Sequence, residues 1–166
     1  MKENRRQMRE GFSLIELVIA IAILAIFVGI TSLSVALLRS ADTKGLANGI
    51  NNSLTDLKAK TESHTGPYYL HIYKNDNGFY ANFSDKPDFA GAAAGDERLG
   101  AASMTVSADS GDKISGSTVC TVQIRKKDGA YTMGPTSLSV SKSEDSPAEY
   151  IVKLAKDTGL HYIEQQ

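Results

Sequence analysis

A single carboxylate, Glu16, stands inside a run that carries no other charge from Phe12 to Leu38. An acid at the centre of a membrane-spanning helix costs about 2.5–3.5 kcal/mol, less near the helix end, and so marks a functional position by default. A bare anchor gains nothing from it. The other reactive side chains are dispersed. His64, His71 and His161 lack metal-ligand spacing and read as surface or half-buried strand positions. Cys120 lies in a β-rich run at alternating spacing and is expected as a buried core thiol. Asp109 and Asp112 flank glycines in "SADSGDKISG" (107–116) without an EF-hand pattern, so a solvated turn is expected and no metal is assigned. "GAAAG" (91–95) lacks the lysine or G-x-G-x-x-G context of a phosphate loop and reads as a flexible loop. Arg125, Lys126 and Lys127 read as a solvated hairpin tip rather than a DNA contact. No nucleophile–base–acid arrangement stands out, so neither catalytic residue nor cofactor is assigned, and an enzyme is not expected.

The elements that must carry Glu16 follow from charge and periodicity. Residues 1–11 hold Lys2, Arg5, Arg6 and Arg9 against Glu3 and Glu10, a net of +2, whereas the remainder is net -3. Leu17 to Leu38 as a helix would span roughly 33 Å at about 1.5 Å per residue, enough to cross a bilayer core. The basic head keeps the N-terminus cytoplasmic by the positive-inside rule and places everything after Leu38 outside. Beyond the apolar run, Leu46, Ile50, Leu54 and Leu57 recur at helical spacing, and no proline intervenes before Pro67. One helix of about fifty residues is expected, apolar all round in its first half and amphipathic in its second. Gly29, Gly45 and Gly49 each cost it about 1 kcal/mol relative to alanine, which makes them its expected bending points.

After Pro67 the apolar period changes to two. "YYLHIYK" (68–74) and "FYANFS" (79–84) predict a β-hairpin with Asn77-Gly78 as its tight turn. "FAGAAAGDERLGAAS" (89–103) reads as a small-residue loop with one helical turn. "MTVSA", "STVCTVQIRK", "AYTMG" and "TSLSVS" are further short strands, with "KKDG" (126–129) as a second hairpin turn. The C-terminus admits two readings. Ser146, Pro147 and Glu149 resemble an N-cap, N1 proline and capping-box glutamate, whereas "YIVKL" and "LHYIE" flank "AKDTG" as a hairpin; the hairpin is favoured. Cys120 is the single cysteine, so no intramolecular disulfide is available. The composition gives no sign of a nucleic-acid footprint.

Two ordinary explanations compete for the N-terminal run. A secretory signal has a shorter apolar stretch and an A-x-A-like site, for which "SVA" (34–36) is passable; an uncleaved anchor is the other. Yet "EGFSLIELVIAIAILA" resembles the class III signal of type IV pilins and of the pseudopilins of type II secretion and competence machines. The resemblance rests on a short basic leader ending in glycine, then phenylalanine, a small hydroxyl residue, Leu-Ile-Glu-Leu and an apolar helix, over roughly residues 5–30.

That resemblance implies a prepilin peptidase cutting after Gly11, N-methylation of Phe12 by the same enzyme, and docking of Glu16 against the N-terminal amine of a neighbouring subunit. It implies a membrane or filament core formed by Leu14, Ile15, Leu17, Val18, Ile19, Ile21, Ile23, Leu24, Ile26, Phe27, Val28 and Ile30. Implied partners are other pilin or pseudopilin subunits, the cytoplasmic membrane, an assembly ATPase and a platform protein; nucleic acid is not indicated. The implied domains are a leader (1–11), an N-terminal helix (12–64, with 12–38 transmembrane) and a β-rich domain (65–166). The fold class is then α+β, a long spine helix packed on a small antiparallel β domain. The expected location is the inner membrane, with the C-terminal domain outside, and then a filament. Many major pilins have glycine at the position of Ala25, proline at that of Leu33 and a C-terminal disulfide loop. Their absence leans toward a minor pilin or pseudopilin. A filament-tip module binding DNA or a surface is the alternative, and a plain anchored or secreted domain a further one.

Overall fold

The computed structural model describes residues 13–166, with the side chains of 29–40 excepted. Gly11 and Phe12, the expected cleavage and methylation positions, lie outside the described residues, as does the side chain of Ile30. The chain divides into two compact units, Met1–Leu38 and Arg39–Gln166. Helix α1 (Leu14–Ser63) has the expected fifty residues. Ser13 opens it, Glu16 lies in its first turn and Lys60 in its last, charges that suit the helix dipole at each end. It stops just ahead of Gly66-Pro67, where proline removes a donor and restricts the residue before it. The Lys126 ammonium donates to the His64 carbonyl at 2.7 Å and satisfies one of the groups left over at that end.

Among the described residues no helix is long and apolar enough to cross a membrane. The expected span, Leu17 to Leu38, runs into residues 29–40, whose side chains lie outside the described ones.

In the second unit α1 buries the stripe that the sequence predicts. Leu46, Ile50, Leu54 and Leu57 are wholly buried, with Thr43, Ala47 and Ser53 beside them. They share one apolar cluster with two antiparallel sheets. The first sheet contains β1 (Tyr69–Asn75), β2 (Gly78–Ser84), β3 (Glu97–Gly100), β5 (Cys120–Ile124) and β6 (Tyr131–Met133) in the order β3-β2-β1-β5-β6. The second contains β4 (Thr105–Ala108), β7 (Ser137–Ser141), β8 (Ala148–Ala155) and β9 (Leu160–Gln165) in the order β4-β7-β8-β9. The architecture is α+β. Alternation sets the faces: Tyr150, Val152 and Leu154 of β8 are buried, and the residues between them are half-buried.

Several details differ from expectation. Strand β3 lies within the stretch expected to be loop: it pairs with β2, and Leu99 is drawn into the core while Glu97 and Arg98 stay exposed. The first hairpin turns one residue earlier, at Asp76-Asn77, with Asn75 facing Gly78. Asn75 Oδ1 accepts from the backbone N–H groups of Asn77 and Gly78, at 2.9 and 3.2 Å. Gly78 is needed for a different reason: its φ is +148°, and a Cβ there would lie 2.1 Å from the Gly100 carbonyl oxygen. Gly49 faces β3, where an added Cβ would meet the Leu99 carbonyl oxygen at 3.2 Å. The C-terminus is the favoured hairpin, Ala155 facing Leu160 across a turn closed by Gly159 at φ +65°. The "KKDG" turn connects β5 to β6 as predicted.

Candidate functional site

The start of α1 is built by a reciprocal cap. The Ser13 backbone N–H donates to Glu16 Oε2 at 2.9 Å, and the Ile15 N–H donates to Ser13 Oγ at 3.4 Å. Together they satisfy two of the donors that a helix start leaves without intrahelical partners. The carboxylate that looks misplaced in an apolar run therefore has a local partner, which fixes its position one turn into the helix. The serine–x–x–glutamate spacing of "SLIE" carries this signal in the sequence, and the expectation of a docking acid passed over it.

Around that cap the helix surface is apolar and uncovered. Leu14, Ile15, Leu17, Val18, Ile19, Ile21, Ile23, Leu24, Ile26, Phe27 and Val28 each expose between 49 and 80 % of their surface. They point in every direction around the helix, so the site is a sleeve rather than a face. Exposed apolar surface beyond a few hundred Å² marks a protein or membrane contact. Glu16 is the only charge among residues 13–28, and it stands at one end of the sleeve.

The other candidates are drawn into structural roles. His71 is wholly buried, deeper than the half-buried position expected. Its Nδ1 lies 2.9 Å from Thr121 Oγ1, and its Nε2 lies 3.0 Å from Ser84 Oγ and 3.1 Å from the Lys86 carbonyl oxygen. A carbonyl only accepts, so Nε2 carries the proton and Nδ1 takes the Thr121 hydroxyl hydrogen in the neutral ring. Burial lowers the His71 pKa, against the Lys86 carbonyl bond and the Asp88 charge, which raise it. His161 is half-buried, with Nε2 3.0 Å from Thr55 Oγ1 of α1 and Nδ1 2.8 Å from the Tyr131 hydroxyl of β6. Burial lowers its pKa as well. His64 is exposed and packs on the Tyr68 ring with centroids 4.8 Å apart.

Cys120 is half-buried at the edge of the core rather than fully inside it. Burial, with a contribution from Asp109, pushes its thiol up to about 12, which leaves almost no thiolate at neutral pH. It lines a cleft of about 310 Å³ with Asp109, Asp112 and Thr118. Asp109 lies in an exposed turn, as expected, and is tied there: its Oδ2 accepts from both the backbone N–H and the hydroxyl of Thr136, joining the end of β4 to the start of β7. Those bonds hold its carboxyl below the usual range. Asp112 accepts from Ser110 Oγ at 2.8 Å. Among the described residues no group of three His, Cys, Asp or Glu side chains is placed to hold a metal ion.

Two of the three cations in the basic turn also have structural partners, Lys126 on the His64 carbonyl and Arg125 on Asp128 at 3.4 Å. The alanine–glycine stretch is likewise anchored. Asp96 accepts from the Tyr73 hydroxyl and Asn82 Nδ2, both at 2.6 Å, and from the Ala93 N–H at 2.7 Å. Burial raises the Asp96 pKa, but these bonds outweigh it and hold the carboxyl low.

The sleeve with its capped acid is thus the feature left without a use inside the fold, and comparison with known families bears on that same segment. The family described as "Prokaryotic N-terminal methylation motif" matches residues 6–32. This chain carries the class III signal peptide of type IV pilins. No curated protein and no solved structure matches the chain. The methylation motif contains Gly11, Phe12, Glu16 and the whole described sleeve. It implies processing by a prepilin peptidase and assembly with other pilins.

Proposed function

We propose that this protein is a structural subunit of a type IV pilus-like filament or of a secretion or competence pseudopilus. The observation that carries the reading is the uncovered apolar sleeve of Leu14–Val28 with one carboxylate at its start, lying inside the methylation motif. In the precursor this segment inserts into the cytoplasmic membrane with the basic head inside. A prepilin peptidase removes residues 1–11 and the new amino group of Phe12 is methylated. The protein's work is assembly, not catalysis.

Charge supplies the register of that assembly. Two opposite charges leaving water are costly apart and compensate each other together. Glu16 Oε2 is held by Ser13, and Oε1 has no hydrogen bond among the described residues, so it is available to the Phe12 amine of an adjacent subunit. Apolar contacts along the helices provide adhesion, which by itself specifies no axial position. A head-to-tail contact of this kind does not close on itself, so it builds a fibre rather than a ring.

The N-terminal mass of the mature protein tests the reading. Methylated Phe12 is expected. A chain beginning at Leu37 would mean an ordinary signal peptidase acting after "SVA", and a retained Met1 would mean an uncleaved anchor; either, in peptidase-competent cells, overturns the proposal. Gly11→Val is expected to leave a full-length precursor in the membrane, because a side chain there obstructs close approach of a protease to the backbone.

A further inference from the structure

The outer face of the first sheet is closed by a strap, residues 85–96, that connects β2 to β3. Beneath it Tyr69, His71 and Tyr73 of β1 are all buried. The strap is held at three points. At its start the Lys86 carbonyl takes bonds from Ser84 Oγ at 2.9 Å and His71 Nε2 at 3.1 Å. In its middle Phe89 packs on the His71 and Tyr73 rings, with centroids 5.6 and 4.7 Å away. At its end Asp96 is gripped by Tyr73 and Asn82. Between these points it is mostly exposed alanine and glycine, the composition of a segment that opens locally before the rest of a fold.

We infer that His71 is a proton-operated latch, and that protonation of its buried ring releases the strap and uncovers the aromatic face of β1. Among the described residues His71 is the titratable side chain that touches both the start and the middle of the strap. Its surroundings are Tyr69 on β1, stacked 6.4 Å away, Ser84 at the end of β2, Thr121 on β5, and Lys86, Asp88 and Phe89 of the strap. The charged group acting on the ring is the Asp88 carboxylate, which favours the imidazolium; burial opposes it more strongly. The closed state therefore binds its proton less readily than the open one, in which the ring returns to an ordinary histidine value near 6.5. Opening is linked to proton uptake, and the opening constant rises by up to about tenfold for each pH unit between 6.5 and the lowered closed-state pKa.

Hydrogen exchange of the full chain in detergent micelles, corrected for intrinsic rates, tests the latch between pH 7.5 and pH 5. Peptides covering 85–96 are expected to lose protection by up to about tenfold per pH unit below 6.5, and at every pH to exchange faster than those covering β5. His71→Gln keeps a side-chain N–H donor but cannot titrate, and its strap is expected to show no such pH dependence. An equal loss in His71→Gln, or none in the wild type, overturns the latch. A second readout needs no substitution at His71: in the wild type the strap amides of Ala93 and Asp96 are expected to shift with the midpoint of the His71 ring. A different midpoint overturns it. Asp88→Asn, which removes the charge favouring imidazolium in the closed state, is expected to keep the onset near 6.5 but to extend the loss of protection to lower pH, and an unchanged lower limit would remove Asp88 from the account.

Discussion

Glu16 has one role seen within the chain and one proposed for the filament. Within the chain it closes the cap on Ser13; in the proposed filament its second oxygen meets a neighbour's amine. The two roles separate by substitution. Glu16→Ala is expected to be cleaved normally but to be excluded from filaments beside wild-type partners, measured by sheared-filament content against membrane content. Normal incorporation would sink the docking role. Ser13→Ala loses the hydroxyl bond to the Ile15 N–H and about 1 kcal/mol of cap stability, yet keeps its own backbone N–H, so assembly should be weakened, not abolished. Cys120 gives a second prediction at this scale. With its thiol near 12, it should resist a water-soluble disulfide reagent at pH 8 in the native protein and react at an ordinary rate once unfolded. Equal rates in both states would place it in solvent.

At the scale of elements, the second half of α1 is a packed wall and its sequence reads as one. Leu54 is wholly buried in the cluster that joins helix and sheets. Leu54→Ala should cost about 2–5 kcal/mol, the range for removing a buried leucine side chain, read as a fall in the denaturant midpoint. Gly78 is the matching point in the first hairpin. Gly78→Ala should cost about 2 kcal/mol or more, since the backbone there is strained for any L-side chain and the β3 carbonyl occupies the space of the methyl; a neutral effect would show that β3 gives way freely. The stripe of Leu46 to Leu57 was legible because helical spacing repeats over several turns. Strand β3 was not, because four residues between charges and glycines carry no period, and their pairing to β2 depends on where β2 lies.

At the scale of the whole molecule, the second unit is a self-sufficient fold and the described part of the first has its apolar side chains outside. That contrast underlies the assembly reading, because exposed Leu14–Val28 carries too much apolar surface to stay in water alone. The second unit is also tuned to pH. His161 bridges α1 and the two sheets through Thr55 and Tyr131, and its pKa is lowered by burial. A histidine with a depressed folded pKa contributes stability that is complete above the unfolded value near 6.5. That stability is lost as pH falls from there through the folded value, because the unfolded chain then binds more protons. Denaturant midpoints are therefore expected to fall between pH 7.5 and 5, and to fall less in His161→Gln; an identical fall in that variant would assign the dependence elsewhere.

The sequence by itself determined the N-terminal motif and the order of most elements. A motif at fixed spacing, a helical stripe and turn glycines are local signals, readable because their chemistry acts over a few residues. Only the tertiary structure decided that β3 exists, that His71 lies under a strap, that Asp109 and Lys126 are ties between elements, and that Gly49 and Gly78 make room for the β3 backbone. Each of those depends on a partner 15 to 62 residues away, and no local pattern encodes the distance between two segments until the core has brought them together.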